Sequence, residues 1–286
     1  MKHQAVRSTA WFEYVYTPTM KDNKATFSKG NICEGLEYNQ FEVYYQPIID
    51  ILHNKIVSAE ALIRWNHPKL GFLHPEQFIT DAEKTGMIGA LGTFVMKEAC
   101  NQSVLWKKSG YPFYAVSLNL SLSQLSDSSL VQTMKSLIKE TQVNPQDITL
   151  ELTESVAMTD PEITITTLIE LKHLGVSISL DDFGAGYSSL SHLQHFPVDE
   201  LKIDGQFIQK SKKGPWGERL MRSIGTFART LGLDVVVEGV ETEEQFQLGK
   251  EMKVRHVQGF YFTHALSAQD YKEWCVYYLS IPVLQM

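Results

Sequence analysis

Cysteine is scarce in this chain: Cys33, Cys100 and Cys275 are the only three in 286 residues, with no CxxC spacing. That excludes a disulfide framework and a zinc knuckle. No run approaches the roughly 20 apolar residues of a membrane-spanning helix. The N-terminal stretch MKHQAVRSTAWFEYVYTPTM has no apolar signal core and no plausible cleavage site. Basic residues are also in deficit, with 26 Lys and Arg against 33 Asp and Glu, for a formal net charge of −7. Gripping a DNA or RNA duplex usually needs a basic face, so the balance argues against such partners. Internal repeats and low-complexity tracts are missing too. These absences predict a reduced, cytoplasmic protein with no membrane span. The excess of acid suits a chain that gathers carboxylates around a cation.

What remains is ordinary globular material, 43% hydrophobic and 21% charged. A chain of this length buries roughly three quarters of its unfolded surface and needs no staple. Runs rich in Val, Ile, Leu, Tyr and Phe alternate with helix-period runs. The strands are expected at 42–49, 55–65, 114–120, 148–152, 176–180, 200–203, 234–237 and 256–260. Most lack strict alternation, as strands covered on both faces do. Between them, Asp160 and Pro161 mark a helix start and Gly175 its end. Ile165, Leu168, Ile169 and Leu171 supply its apolar stripe, and Phe227, Ala228 and Leu231 belong to a second stripe ended by Gly232. Thr242 with Gln245, and Ser267 with Asp270, resemble capping boxes.

Repeated β-α alternation implies a parallel sheet, and eight strands suggest a closed (β/α)8 barrel. The link from Asp50 to Lys55 is too short for a crossover helix. The first two strands are therefore expected to pair antiparallel, giving a modified (β/α)8 TIM barrel whose first strand is reversed.

In such barrels the chemistry sits where the strands end. Glu60, Asn119, Glu151, Asp181, Asp182, Lys202, Asp204, Glu238 and Gln258 all fall at or just past strand ends, with Glu154 and Glu241 close behind. Any one of them alone reads as a turn, a cap or a solvated carboxylate. As a set they would converge on one barrel mouth. Like charges that close raise each other's pKa, and a bound cation resolves the conflict. The donors Glu60, Asn119, Glu151, Asp181, Asp182 and Glu238 are all oxygen ligands, which suits Mg²⁺ or Mn²⁺ rather than Zn²⁺. They outnumber what one Mg²⁺ recruits, which favours two metals and phosphoryl-transfer chemistry. Lys202 adds a charge for a phosphate or an attacking water.

These residues carry a resemblance. Glu60-Ala61-Leu62-Ile63-Arg64-Trp65 is similar to the motif that names the EAL domains, a family of cyclic-di-GMP phosphodiesterases of bacterial second-messenger signalling on a modified (β/α)8 barrel. Tyr45-Gln46-Pro47-Ile48, Asn119, ELTES from Glu151, DDFGAGYSSL from Asp181, LKID around Lys202, VVVEGVET around Glu238 and QGF around Gln258 follow in the family's order. The resemblance implies an arm or linker over residues 1–31 and the EAL phosphodiesterase domain over 32–286. It implies hydrolysis of cyclic di-GMP to linear pGpG with two metal ions. Glu60, Asn119, Glu151 and Asp181 would hold one metal, and Asp181, Asp182 and Glu238 the second. Lys202 would contact the water or phosphate, and Glu154 would anchor the DDFGAG loop. Gln46, Leu62 and Arg64 would contact the dinucleotide, with Asp182, Asp204 and Gln258 beside them. Mg²⁺ or Mn²⁺ should activate and Ca²⁺ should inhibit. A homodimer is implied through the segment 187–196, with Leu190, Leu193 and Phe196 as an apolar contact. Two departures stand out: Ala185 where many members have Thr, and Phe262-Thr263-His264-Ala265-Leu266-Ser267 in place of a Lys-Pro-rich segment. A catalytically silent module that binds the dinucleotide as a sensor, or binds a partner protein, is the alternative.

Overall fold

The computed structural model describes residues 25–184, 195–204 and 215–280, the first few residues of the last stretch as backbone only. Its sheet contains β1 (Phe41–Asp50), β2 (Lys55–His67), β3 (Gly71–Leu73), β4 (Val116–Asn119), β5 (Ile148–Thr153), β6 (Ser177–Phe183), β7 (Glu200–Ile203), β8 (Asp234–Val237), β9 (His256–Val257) and β10 (Leu266–Ser267). The strands run β1-β9-β8-β7-β6-β5-β4-β2, and β1 pairs with β2 to close an eight-stranded barrel. β3 and β10 add antiparallel flanges on β2 and β1. From β2 through β4 to β9 every neighbour is parallel. β1 is antiparallel to both β2 and β9. The reversed first strand read from the short 50–55 link is therefore present.

That link is fixed by Asp50. Its Oδ1 accepts from the backbone N–H groups of Leu52 and His53, both at 3.0 Å, and Asn54 takes the left-handed conformation that brings the chain back. Asp50 Oδ2 also accepts from Arg255 Nε at 2.9 Å and meets His53 Nδ1 at 2.9 Å. One buried carboxylate thus joins the hairpin to the residue before β9, across the seam where the barrel closes.

Helices follow the predicted punctuation. Asp160 caps Pro161–His173 by accepting from Ile163 N–H, and Gly175 beyond its end has φ 95°. Thr242 and Gln245 form both halves of a capping box. Ser267 makes one half, accepting from Asp270 N–H at 3.2 Å, while Asp270 takes the Ser267 hydroxyl instead of a backbone N–H. Leu168, Leu171 and Ala228 are fully buried, but Ile169 and Leu231 are exposed, because each lies on the solvent edge of its stripe.

The core lies between barrel and helices. Tyr45, Trp106 and Tyr271 meet there, with ring centroids 4.8 Å apart for Tyr45–Trp106 and for Trp106–Tyr271. A second cluster gathers around Trp65, Phe41 and Phe78, where β1 begins and β2 nears its end. Phe27 is part of it, 4.7 Å from Trp65, and the helix Lys29–Glu37 seals it behind a Ser28–Asn31 capping box. The expected boundary at residue 31 thus falls inside a packed helix. Of the segment expected to pair two copies, residues 187–194 lie outside the described residues, as does Ala185. Phe196 is buried in the main core, so it cannot be an exposed apolar contact. Among the described residues no helix is long and apolar enough to cross a membrane, and all three cysteines are unpaired.

Candidate active site

Strand register places the polar residues on one rim. Gln46 on β1 lies opposite Glu60 on β2. Asn119 is in register with Glu151, and Thr153 with Asp181. Lys202 is wholly buried at the centre. Its Nζ stands 2.8 Å from Glu151 Oε2, 2.6 Å from Glu238 Oε1 and 3.5 Å from Glu60 Oε2. Glu60 is held from two sides, by Asn119 Nδ2 at 2.7 Å on Oε1 and by Gln258 Nε2 at 2.6 Å on Oε2. Gln258 Nε2 also reaches Gln46 Oε1 at 3.1 Å, and Gln46 Nε2 donates to the Thr263 carbonyl at 3.1 Å.

Asp181 and Asp182 are consecutive, and regular pleating would send one of them away from the mouth. The register of β6 with β7 slips between Leu180 and Phe183, and Asp182 has φ 55°. Such a bulge with a left-handed residue re-aims side chains, and Asp tolerates that conformation better than most. Asp182 N–H donates to Asp181 Oδ1 at 2.7 Å, which secures the turn. In consequence Asp181, Asp182 and Glu238 bring one oxygen each to within 4.8 Å of one another. Directly after them, Gly184 N–H donates to Glu154 Oε2 at 3.1 Å, and Glu154 is itself buried at the start of Glu154–Ala157.

The charges do not balance. Glu60, Glu151, Asp181, Asp182 and Glu238 surround the one amine of Lys202. Burial opposes the charge on Lys202, but Glu151, Glu238 and Glu60 outweigh it and hold the amine protonated far above its ordinary range. Burial pushes Glu238 up to about 8 and Glu151 well above the usual carboxylate range, against the pull of Lys202. Glu60 goes the other way: burial is outweighed by Lys202, Asn119 and Gln258, which hold it ionised. Asp182 is raised by burial and by Asp181. Glu151 Oε1 is buried without a hydrogen-bond partner. An orphaned carboxylate oxygen beside a surplus of acid is the donor set a hard divalent cation requires, so the residues fit one.

Other predicted residues sit around this centre. Arg64 is buried, its Nη1 donating to the Ile63 carbonyl at 2.9 Å and its guanidinium 5.7 Å from the Tyr44 ring centre. Leu62 is half-buried opposite Tyr44 in the β1–β2 register. Asp204 follows β7, half-buried, and Glu241 is exposed, its backbone N–H donating to Gln245 at 2.6 Å. Two participants escaped the sequence. Glu200 lies two residues before Lys202, on the same strand face, and burial raises its pKa. Period-two alternation could have found it. The Thr263 carbonyl that holds Gln46 is a backbone atom and leaves no mark in the sequence.

A family model described as the EAL domain matches residues 30–265. The chain belongs to the EAL domain family. Among relatives, this EAL domain is 37% identical over 240 residues to MucR of Pseudomonas aeruginosa, a bifunctional diguanylate cyclase/cyclic di-GMP phosphodiesterase; the match covers 84% of this chain and 35% of MucR. It is 34% identical over 269 residues to the Escherichia coli cyclic di-GMP phosphodiesterase PdeR, covering 93% of this chain and 40% of PdeR. The chain thus spans well under half the length of these relatives. The solved MucR phosphodiesterase in complex with c-di-GMP superposes with a TM-score of 0.81 at 36% identity, covering 85% of this chain and 98% of that one. An EAL domain protein of Listeria monocytogenes does so with a TM-score of 0.76 at 32% identity, over 87% and 98%.

Proposed function

We propose that this EAL domain is an active, divalent-metal-dependent phosphodiesterase that opens cyclic di-GMP to linear pGpG. The observation that carries the reading is the unbalanced carboxylate cluster: Asp181, Asp182 and Glu238 with oxygens within 4.8 Å, beside the orphaned Oε1 of Glu151. Glu60, Asn119, Glu151 and Asp181 would hold one cation and Asp181, Asp182 and Glu238 a second, both Mg²⁺ or Mn²⁺. When bound, such ions lower the pKa of water and offset charge on phosphoryl and leaving oxygens.

The chain's own residues do the rest. Lys202 keeps its proton and orients the water or a phosphate oxygen. Gln258 and Asn119 fix the Glu60 carboxylate, and Glu154 tethers the turn that presents Asp181 and Asp182. Gln46, Leu62 and Arg64 line the rim for the dinucleotide, Arg64 for a phosphate, with Asp204 supporting. Hydrolysis forms one P–O bond to water and breaks one to a ribose oxygen, which leaves with a proton. Catalysis is then mainly positioning and electrostatics. A cytoplasmic location and a homodimer are proposed alongside.

The test is incubation of the purified chain with cyclic di-GMP and Mg²⁺, followed by chromatography of the nucleotides. Linear pGpG is expected. Unchanged cyclic substrate with tight binding would make the domain a sensor instead, and light scattering reports the dimer.

A further inference from the structure

Glu238 stands between two claims. Its Oε1 lies 2.6 Å from Lys202 Nζ, and it brings an oxygen to within 4.8 Å of oxygens of Asp181 and Asp182. Such sites work only when their groups are held to within about 0.5 Å. The arc of chain behind Glu238, as far as Glu243, is therefore part of the site's geometry.

That arc is pinned along its length. Glu238 N–H donates to the Ile203 carbonyl at 3.0 Å, and Gly239 turns the chain with φ 60°. Val240, fully buried, meets the segment after β9 with both backbone groups. Its N–H donates to the Gln258 carbonyl at 3.1 Å, and its carbonyl accepts from Tyr261 N–H at 2.8 Å. Gly259 permits this approach, because a Cβ there would lie 2.2 Å from the Val240 oxygen and 2.4 Å from its nitrogen. At the far end Glu241 N–H and Thr242 N–H both donate to Gln245 Oε1, at 2.6 and 2.9 Å. Glu243, in the first turn of the helix Glu243–Glu251, accepts from the Tyr261 hydroxyl on Oε2. The buried Tyr261 ring stacks on Phe246 of the same helix, with centres 4.9 Å apart at 20°.

Tyr261 thus grips the arc twice, by its backbone N–H at Val240 and by its hydroxyl at Glu243. A hydrogen bond from a hydroxyl to a carboxylate is among the stronger kinds. The segment that carries Tyr261 also carries Gln258, whose Nε2 holds Glu60 at 2.6 Å. We propose that Tyr261 is a positioning residue. Through Val240 and Glu243 it fixes the arc that presents Glu238, and so sets the affinity for the divalent cation that Glu238 would hold. This inference rests on Glu238 as a metal ligand, as proposed above. The effect reaches the cation through the arc and not through a bond to it.

Tyr261→Phe keeps the ring and removes only the hydroxyl. Partners that orient metal ligands are worth about 10–100-fold in metal affinity or activity. Tyr261 acts one step further out, so one Mn²⁺ should bind about ten-fold more weakly, the low end of that range. The readout is free Mn²⁺, followed by electron paramagnetic resonance as the chain is titrated without substrate. Glu243→Ala should weaken the same ion to a similar degree, and the two substitutions together should do no more than either alone. Neither should matter in a Glu238→Gln background, where the ligand is already lost. Either variant alone decides, should the other fail to fold. Mn²⁺ affinity equal to that of the unaltered chain would overturn the clamp and leave the metal reading standing. A loss that persists in full on Glu238→Gln would mean that Tyr261 acts on the fold at large, which also overturns it. If the unaltered chain binds no Mn²⁺, the metal-dependent reading fails and takes the clamp with it.

Discussion

Lys202 and Glu151 face each other at 2.8 Å with both side chains wholly removed from water. Each is costly to bury alone, and each makes the other tolerable. The pair forms the floor of the mouth, and the remaining carboxylates are arranged around its positive end.

Lys202→Ala should therefore be felt twice. Removing the ammonium takes away the counter-charge that holds Glu60 ionised and the donor to Glu151, and losses of this kind cost about 3–5 kcal/mol. Thermal unfolding in chelator should show that loss, and added Mg²⁺ should recover part of it by replacing the missing positive charge. In single-turnover kinetics the chemical step should fall more than substrate binding. A weakened dissociation constant with unchanged chemistry would make Lys202 a plain phosphate anchor.

Asp181→Asn should nearly abolish turnover. The proposed bridging role needs two anionic oxygens, and an amide offers one neutral acceptor. Losses among groups that merely orient metal ligands already cost about 10–100-fold, so this one should exceed that. The readouts are the rate and the rise in Tm with Mg²⁺ or Mn²⁺, both of which should vanish. In the unaltered chain Ca²⁺ should raise Tm yet leave cyclic di-GMP uncut, since it takes longer bonds and more ligands. Equal turnover in Ca²⁺ and Mg²⁺ would sink the metal-generated nucleophile.

Glu154→Ala removes the acceptor for Gly184 N–H, 3.1 Å away. The turn carrying Asp181 and Asp182 should loosen, so the Mg²⁺ concentration for half-maximal activity should rise and saturating Mg²⁺ should restore part of the rate. A Mg²⁺ dependence like that of the unaltered chain would show that Glu154 does not tether the turn.

Asp50→Asn tests the barrel seam. Burial opposes ionisation of Asp50, but hydrogen bonds from His53 and Arg255 outweigh it and hold the carboxyl below its usual range. A lowered folded-state pKa stabilises above the unfolded value of about 3.9 and loses that stability as pH falls through the folded value. The unaltered chain should thus lose this contribution only in acid below about pH 4. The amide variant should be about 1–3 kcal/mol less stable at pH 7 and flatter with pH in that acid range. Denaturant unfolding at pH 7 and pH 3 checks both.

The sequence by itself determined the alternation of strands and helices, the reversed first hairpin and the chemistry at each strand end. Those are local properties: period, caps at Asp160 and Thr242, a link too short for a helix, and a carboxylate, amide or amine at the end of nearly every apolar run. Tertiary structure decided how these groups act on one another. Lys202 meets Glu60, Glu151 and Glu238 only when the barrel closes; burial then raises Glu238, while at Glu60 it is outweighed by Lys202, Asn119 and Gln258. The slip in β6 turns Asp181 and Asp182 toward one mouth, which the strand's own period would have forbidden. Gln46 finds a backbone carbonyl 217 residues away at Thr263, and Gly259 lets its loop touch the Val240 backbone. Residue types and spacing carry the donors and acceptors, but desolvation and distance are set by contacts between segments far apart in the chain.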